Sequence, residues 1–303
     1  MLNPIRRIYP PNPPLIEPQL CTSSRRVPAG DGWLHEIKYD GWRLLCRKEG
    51  SNVRLITRGG HDLAAKLPTI TKAIQCLPEK SLWLDGELVY LDENGAPDFW
   101  ALHEAVRSGK QKRVFYQLWD MMWNGTDDLT AVPLIERKAA LRKVLRDPPS
   151  AIRYTDHFMG DSERFFRAVN DMDLEGIVSK RERSRYYAGT RTRDWLKVKA
   201  WRNYTFVVGG LQLNSKGRLE ALLVGTQDGS SLRYEGRVEF GLNRLTEEMR
   251  PRFESLISKA LPFEGEWSSR KRTWLRPEMR IEVQALPKRD GHALRHATLQ
   301  RVL

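Results

Sequence analysis

The sequence predicts an α+β chain in two parts: a larger domain of mainly antiparallel sheets with a few helices, then a small β-barrel. Three observations lead there. Short apolar runs alternate with Gly- and Asn-containing turns from Trp33 onward. Apolar residues at helical spacing interrupt those runs at three places before residue 200. After Trp201 the texture becomes almost wholly strand-like.

The elements follow in chain order. Residues 1–20 are rich in proline and read as an extended arm, because proline lacks the amide proton a helix needs. Residues 33–57 read as strand, Asp40-Gly41 turn, strand, Gly50-Ser51-Asn52 turn, strand. Leu67–Leu77 has helical spacing, Leu82–Leu91 reads as a strand, and Asn94-Gly95 closes a turn. Arg113–Trp123 is an apolar, aromatic strand. Pro133 suits the first turn of a helix to about Leu145, and Ser162 suits the cap of another containing Phe165, Phe166 and Val169. Gly176–Lys180 and Trp195–Lys199 are short strands. Beyond them lie four strand-like segments and one helical segment, about Thr246–Leu261, a pattern suited to an OB-type barrel. The domains expected are therefore a 1–20 arm, a 21–200 domain and a 201–303 domain.

Composition narrows the partners. The 51 Lys and Arg against 38 Asp and Glu give a net charge of +13, dispersed without a polybasic tail. That favours a polyanion over a broad surface, nucleic acid before acidic membrane. Cys21, Cys46 and Cys76 are too far apart for zinc-ligand pairs and suit a reducing cytosol. No apolar run is long enough to span a membrane and no signal-peptide core is present, so a cytoplasmic protein without membrane partners is expected.

Four constellations carry chemistry. Glu36 and Lys38 share one strand face, and the Asp40-Gly41 turn brings Arg43 back toward them. A lysine attacks only when neutral, and its free pKa is about 10.4, so burial or neighbouring cations are required. Trp195, Lys197 and Lys199 share one face of their strand, with Leu196 and Val198 on the other. Two lysines side by side invite a phosphate between them, although an exposed amphipathic strand is the plainer reading of that segment alone. Glu87 and Glu175 each sit beside a glycine at the margin of an apolar strand, as hard oxygen ligands for Mg²⁺ or as partners of Arg or Lys. Of Tyr116, Trp119 and Trp123, most belong to a core and one is suited to stacking on a base.

Taken in order, GDGWLHEIKYDGWR, TRGGHD, LDGELV, YQLWDMMWNG, LEGIVSKR and DWLKVKAWR resemble the nucleotidyltransferase motifs of ATP-dependent DNA ligases. The likeness is closest to bacterial ligases of the ligase D and ligase C group, associated with end joining. VVGG, ALLVG, YEGRV and LRPEMRIEV continue it, so it covers nearly the whole chain from about Leu15. The resemblance implies a covalent nucleotidyltransferase (adenylation) domain followed by an OB-fold, and it implies roles. Lys38 would attack the α-phosphate of ATP, with Glu36 in the same nucleotide site. Arg43 and Arg58 would contact the ribose or the nick phosphate. Glu87 would hold the ribose and Trp119 would stack on adenine. Glu175, with Glu87, would bind Mg²⁺ or Mn²⁺, and Lys197 and Lys199 would grip the α-phosphate. Arg276 and Arg295 are the DNA candidates of the second domain. The implied partners are nicked or broken duplex DNA and a DNA end-binding end-joining protein, acting on a monomer at the bacterial nucleoid.

Two departures alter the expectation. Relatives usually have Phe where Trp119 stands. The usual last motif runs past an Arg to an Asp-Lys pair, whereas here Arg295 fits its start and the sequence closes on LRHATLQRVL, which implies a weakened self-adenylation step. Two other functions compete: an RNA ligase or GTP-using capping-type nucleotidyltransferase, and a catalytically silent DNA-binding scaffold on the same fold. The KYDGWR and LDGELV segments favour DNA over RNA, and the intact Lys38, Glu87, Glu175, Lys197 and Lys199 favour catalysis.

Overall fold

A computed structural model describes residues 16–229, 231–245, 249–265, 267, 271–289 and 291–303. Most of the proline-rich arm, up to residue 15, lies outside the described residues. The chain separates into two compact units, Met1–Lys199 and Ala200–Leu303.

In chain order the first unit contains β1 (Leu20–Ser23), β2 (Trp33–Ile37), β3 (Trp42–Glu49), β4 (Asn52–Thr57), α1 (Pro68–Gln75), β5 (Ser81–Tyr90), α2 (Phe99–Ser108), β6 (Val114–Trp123), α3 (Leu134–Val144), β7 (Ile152–Tyr154), α4 (Ser162–Asp171), β8 (Gly176–Arg181) and β9 (Arg191–Lys199). They form a five-stranded sheet, β4-β3-β5-β6-β7, and a four-stranded sheet, β1-β9-β8-β2. Pairing is antiparallel except for β1 with β9 and β6 with β7. Thus β2 and β3, adjacent in sequence, belong to different sheets, and residues 38–41 cross between them.

Burial follows from the alternation along each strand. One face of the five-stranded sheet packs Leu44, Leu84 and Leu118 against α1, α2 and α3. Leu45, Trp83, Trp195 and Tyr186 fill a smaller cluster that draws on both sheets. Helix α4 joins Val169 to Ile177 and Val198 on the four-stranded sheet. The cap of α4 differs from expectation: Asp161, not Ser162, accepts the bond from the Arg164 amide. Ser162 is already helical, and its hydroxyl donates to the Pro28 carbonyl at 2.9 Å.

The second unit contains β10 (Arg202–Leu213), β11 (Leu219–Asp228), β12 (Ser231–Val238), α5 (Arg250–Ser255), β13 (Ile257–Ser258), β14 (Arg272–Leu275), β15 (Arg280–Ala285) and β16 (Thr298–Val302). The expected helix over about Thr246–Leu261 is shorter, and residues 246–248 lie outside the described residues. The expected barrel is not closed. Strand order is β12-β11-β10-β14-β13, with β15 also on β10 and β16 on β15. Among the described residues, isolated bridges at Leu232–Phe263 and Phe240–Thr298 stand where closing ladders would run. Strand β10 pairs with β15 over residues 202–207 and with β14 over residues 210–212. At the changeover, a Cβ on Gly209 would lie 2.6 Å from the Phe263 ring, so only glycine lets that ring pack on the strand.

Candidate active site

The site is built where the two sheets of the first unit meet. Strand β2 pairs with β8, which places Ile37 opposite Ile177. One residue further on, the Lys38 amide donates to the Gly176 carbonyl at 2.8 Å. In the next ladder Gly176 faces Lys199, and Val178 faces Lys197. The ladders alone therefore bring Lys38, Glu175 and Lys199 to one end of the sheet. Gly176 has φ +138, and a Cβ there would collide with the Val198 carbonyl, so glycine is required both for its backbone and for its space.

Side chains complete the grouping. The Lys38 ammonium donates to Glu175 Oε2, and Lys199 Nζ lies 3.4 Å from Glu175 Oε1. Glu175 thus bridges two of the three lysines. Burial lowers the Lys199 pKa from its ordinary value, reinforced by Lys38 and Lys197 and opposed by Glu175. Lys197 lines the same cavity as Lys38.

The five-stranded sheet supplies the facing residues. Arg43 pairs with Glu87 across β3 and β5. A Cβ on Gly41 would collide with the Leu88 carbonyl and one on Gly86 with that of Gln117, so both motif glycines allow strands to close on one another. Burial raises the Glu87 pKa to about 8, against the lowering pull of Lys38 and Arg43. Trp119 occupies a break in the β5–β6 ladder: Gly86 faces Leu118, Asp85 faces Asp120, and Trp119 is skipped. A bulge of this kind re-aims a side chain, and here Trp119 lines the cavity.

Several expected residues also carry other bonds. Arg43 lines the cavity, and it donates two hydrogen bonds to Asp85, at 2.9 and 2.6 Å, and one to the Gln19 carbonyl at 2.6 Å. Tyr186 donates to the same Asp85 carboxylate at 2.9 Å. Glu36 is fully buried, with Lys138 and Lys180 each 2.5 Å from one of its oxygens. Burial would raise its pKa, but the two ammonium groups overcome that and hold it below the usual carboxylate value. Arg58 is exposed after β4 and lines the cavity. Tyr116 and Trp123 are core residues, and the Tyr116 hydroxyl donates to the Leu44 carbonyl. Arg276 and Arg295 belong to the second unit. Arg276 donates to the Ser255 carbonyl, and burial lowers the Arg295 pKa to about 10.

Sequence reading missed Asp85, Lys138, Lys180 and Tyr186. Lys180 Nζ lies 4.3 Å from the Trp195 ring centroid and 5.1 Å from that of Trp119. The Trp119 and Trp195 indole N–H groups are buried without a partner among the described residues. The cavity therefore combines an aromatic part, Trp119 and Trp195 with Glu36 and Lys180, and an ionic part, Lys38 and Lys197, with Glu175 behind Lys38 and Lys199 joined through Glu175. A planar base suits the first and a phosphate chain the second. Two carboxylates of which one, Glu87, is costly to ionise also suit a divalent cation, which takes one or two carboxylates together with substrate phosphates. Among the described residues no group of three or more His, Cys, Asp or Glu forms an all-protein metal cage.

Residues 18–199 match the family model described as ATP dependent DNA ligase domain, and residues 215–302 match ATP dependent DNA ligase C terminal region. The chain is 34% identical over 300 residues to the multifunctional non-homologous end joining protein LigD of Pseudomonas aeruginosa, covering 95% of this chain and 35% of that protein. It is 28% identical over 259 residues to the corresponding DNA repair protein LigD of Mycobacterium tuberculosis, covering 83% of this chain and 34% of that one. The chain thus spans about a third of the length of these curated relatives. Among solved structures, mycobacterial DNA ligase D complexed with ATP and MES aligns at a TM-score of 0.57, with 26% identity and 95% of each chain covered.

Proposed function

The chain belongs to the ATP-dependent DNA ligase family, and on that premise we propose that it seals 5′-phosphate/3′-hydroxyl breaks in duplex DNA through a lysyl-AMP intermediate on Lys38. The observation that carries this reading is Glu175 bridging Lys38 and Lys199, with Lys38 lining one cavity together with Glu87, Lys197, Trp119 and Trp195.

In the first step the neutral Lys38 amine attacks the α-phosphorus of ATP. An N–P bond forms, the bond to the pyrophosphate oxygen breaks, and the amine proton leaves along the existing hydrogen bond to Glu175. Lys197 and Lys199 offset the charge that gathers on the phosphoryl oxygens, so positioning and electrostatics supply most of the catalysis. In the second step a DNA 5′-phosphate oxygen attacks the same phosphorus and the Lys38 nitrogen leaves. In the third, the 3′-hydroxyl attacks the activated 5′-phosphorus and AMP departs. Glu87 and Glu175 are the residues that would hold Mg²⁺ or Mn²⁺, which when bound supplies charge neutralisation at the phosphates. Trp119 serves as the base platform.

The resemblance to proteins named for non-homologous end joining supports a role in break repair at the bacterial nucleoid, with an end-binding protein as partner. No helix among the described residues is long and apolar enough to cross a membrane. The test is sealing of a singly nicked, 5′-phosphorylated duplex with ATP and Mg²⁺, beside Lys38→Ala. Sealing and covalent nucleotide labelling by the natural protein alone are expected, with DNA binding kept by the variant. Labelling that survives Lys38→Ala would remove Lys38 from its role.

A further inference from the structure

Helix α3 carries a buried charge that none of the three chemical steps uses. The Lys138 side chain is fully buried, and its ammonium meets three acceptors: Glu36 Oε1 at 2.5 Å, the Thr155 carbonyl at 3.0 Å and the Trp119 carbonyl at 3.3 Å. An ammonium has three protons to give, so its capacity is filled by protein groups alone. Two of those acceptors, Glu36 and Trp119, belong to residues in the aromatic part of the cavity. We propose that Lys138 is a positioning residue that sets which purine the site accepts, by fixing Glu36 as an acceptor and tying it to the backbone of Trp119. This inference rests on the reading of the cavity as a nucleotide site.

The argument starts from the cost. Burying an ion pair seldom adds net stability over apolar packing of the same volume, so the Lys138–Glu36–Lys180 group is poorly explained by stability alone. What the group does achieve is a fixed carboxylate. Each oxygen of Glu36 is held by one lysine, which fixes its plane, and the paired cations favour its ionised form. An ionised carboxylate can only accept hydrogen bonds. A 6-aminopurine presents N–H groups at its exocyclic position and satisfies such an acceptor. A 6-oxopurine presents a carbonyl oxygen there, and two acceptors facing each other in a buried site repel. Discrimination of this kind is large because the mismatched polar groups are left unpaired. The second link sets distance: because Lys138 also holds the Trp119 carbonyl, the acceptor and the bulge that carries the stacking ring are fixed by one ammonium.

Removing Lys138 leaves Glu36 with one cation instead of two. Its carboxyl then takes up a proton more readily, and a protonated carboxyl can donate to the carbonyl oxygen of a 6-oxopurine. The experiment is covalent self-labelling with α-labelled ATP and, separately, GTP, read as the ATP-to-GTP ratio within one preparation so that loss of folded protein cancels. Three proteins are compared: natural, Lys138→Met, and Lys138→Met with Glu36→Gln. The double variant removes the Lys138–Glu36 pair together, leaves Lys180 an amide oxygen as its acceptor, and gives a second reading should the single variant fail to fold; its amide can present either an oxygen or an NH₂ to the base. A fall in the ratio of about tenfold or more is expected in both. A native ratio in either variant, with labelling merely weaker, overturns the proposal and leaves Lys138 a structural residue. If the natural protein labels with neither nucleotide, the nucleotide-site reading falls and this proposal with it.

Discussion

Glu87 should weaken the free protein in proportion to how far it is forced to ionise, and the effect can be isolated with Glu87→Gln. In the folded chain its pKa is raised from 4.5 to about 8, with burial as the largest cause. Below the unfolded pKa the carboxyl is protonated in both states and the amide is a close mimic. Above it the unfolded chain ionises freely while the folded chain resists, so stability is lost as pH rises from about 4.5 through about 8. At about 1.4 kcal/mol per pKa unit the full shift corresponds to roughly 5 kcal/mol. Solvent reaches Glu87 through the cavity and screens it, which reduces the expected effect to ~1–3 kcal/mol.

The assay is urea unfolding of both proteins at pH 5 and pH 9 without divalent metal. Near-equal stability is expected at pH 5, and an advantage of ~1–3 kcal/mol for Glu87→Gln at pH 9. Adding Mg²⁺ at pH 9 should narrow the gap, because the cation binds the ionised natural residue and not the amide. The same variant should label with ATP about a hundredfold more slowly, so stability and activity move in opposite directions. An advantage equal at both pH values, or a natural protein more stable at pH 9, would refute the account of Glu87 as a carboxylate kept at a cost for the site.

Two further substitutions test the scaffold. Arg137→Met leaves Asp120 buried without the two bonds of 2.8 Å that Arg137 gives it, and should cost about 3–5 kcal/mol in urea unfolding. Gly176→Ala places a methyl against the Val198 carbonyl at φ +138, and should cost ~2–4 kcal/mol and slow ATP labelling, because Glu175 and Lys199 are displaced together. A Gly176→Ala protein that labels at the native rate would show that the β8–β9 register does not set the site.

Much of this site was legible because its residues lie in short segments where sequence pattern and chemistry coincide: Glu87 and Glu175 beside glycines, Lys38 just before a turn, and Lys197 and Lys199 on one face of an alternating strand. Lys38, Glu87, Glu175, Lys197 and Lys199 could be named from such segments, and the structure brings all but Lys199 to one cavity lining or its direct ion pairs, with Lys199 joined through Glu175. What could not be read was charge that is buried. Apolar spacing on α3 singles out Leu134 and Leu141, yet Arg137 and Lys138 are as fully buried as they are. Their partners, Asp120 and Glu36, lie 17 and 102 residues away, and only the fold decides that they meet. The commitments of Arg43 were hidden for a similar reason. The turn does bring it toward Lys38, but Asp85 and the Gln19 carbonyl take up most of its donors, and an alternating pattern on β5 does not say which polar residue faces inward. The pairing in the second unit was equally invisible, since strand count does not reveal that β10 divides its pairing between β14 and β15.

The charges of the cavity explain why such commitments do not weaken it. Asp85 balances Arg43, and Glu36 is balanced by Lys138 and Lys180, so both pairs are internally settled before any ligand arrives. Glu87 is reluctant to ionise and contributes little negative charge near neutral pH. That leaves Lys38 and Lys199 sharing Glu175, and Lys197, Arg58 and Arg191 along the cavity lining, a positive surplus. A triphosphate entering there meets these cations and an aromatic, acceptor-lined wall. It can bind in only one direction without burying unpaired charge. On the proposed reading, orientation of the α-phosphate toward Lys38 follows from which charges the fold has already neutralised, and the buried pairs that none of the proposed steps uses are what leave Lys38, Lys197 and Lys199 unbalanced.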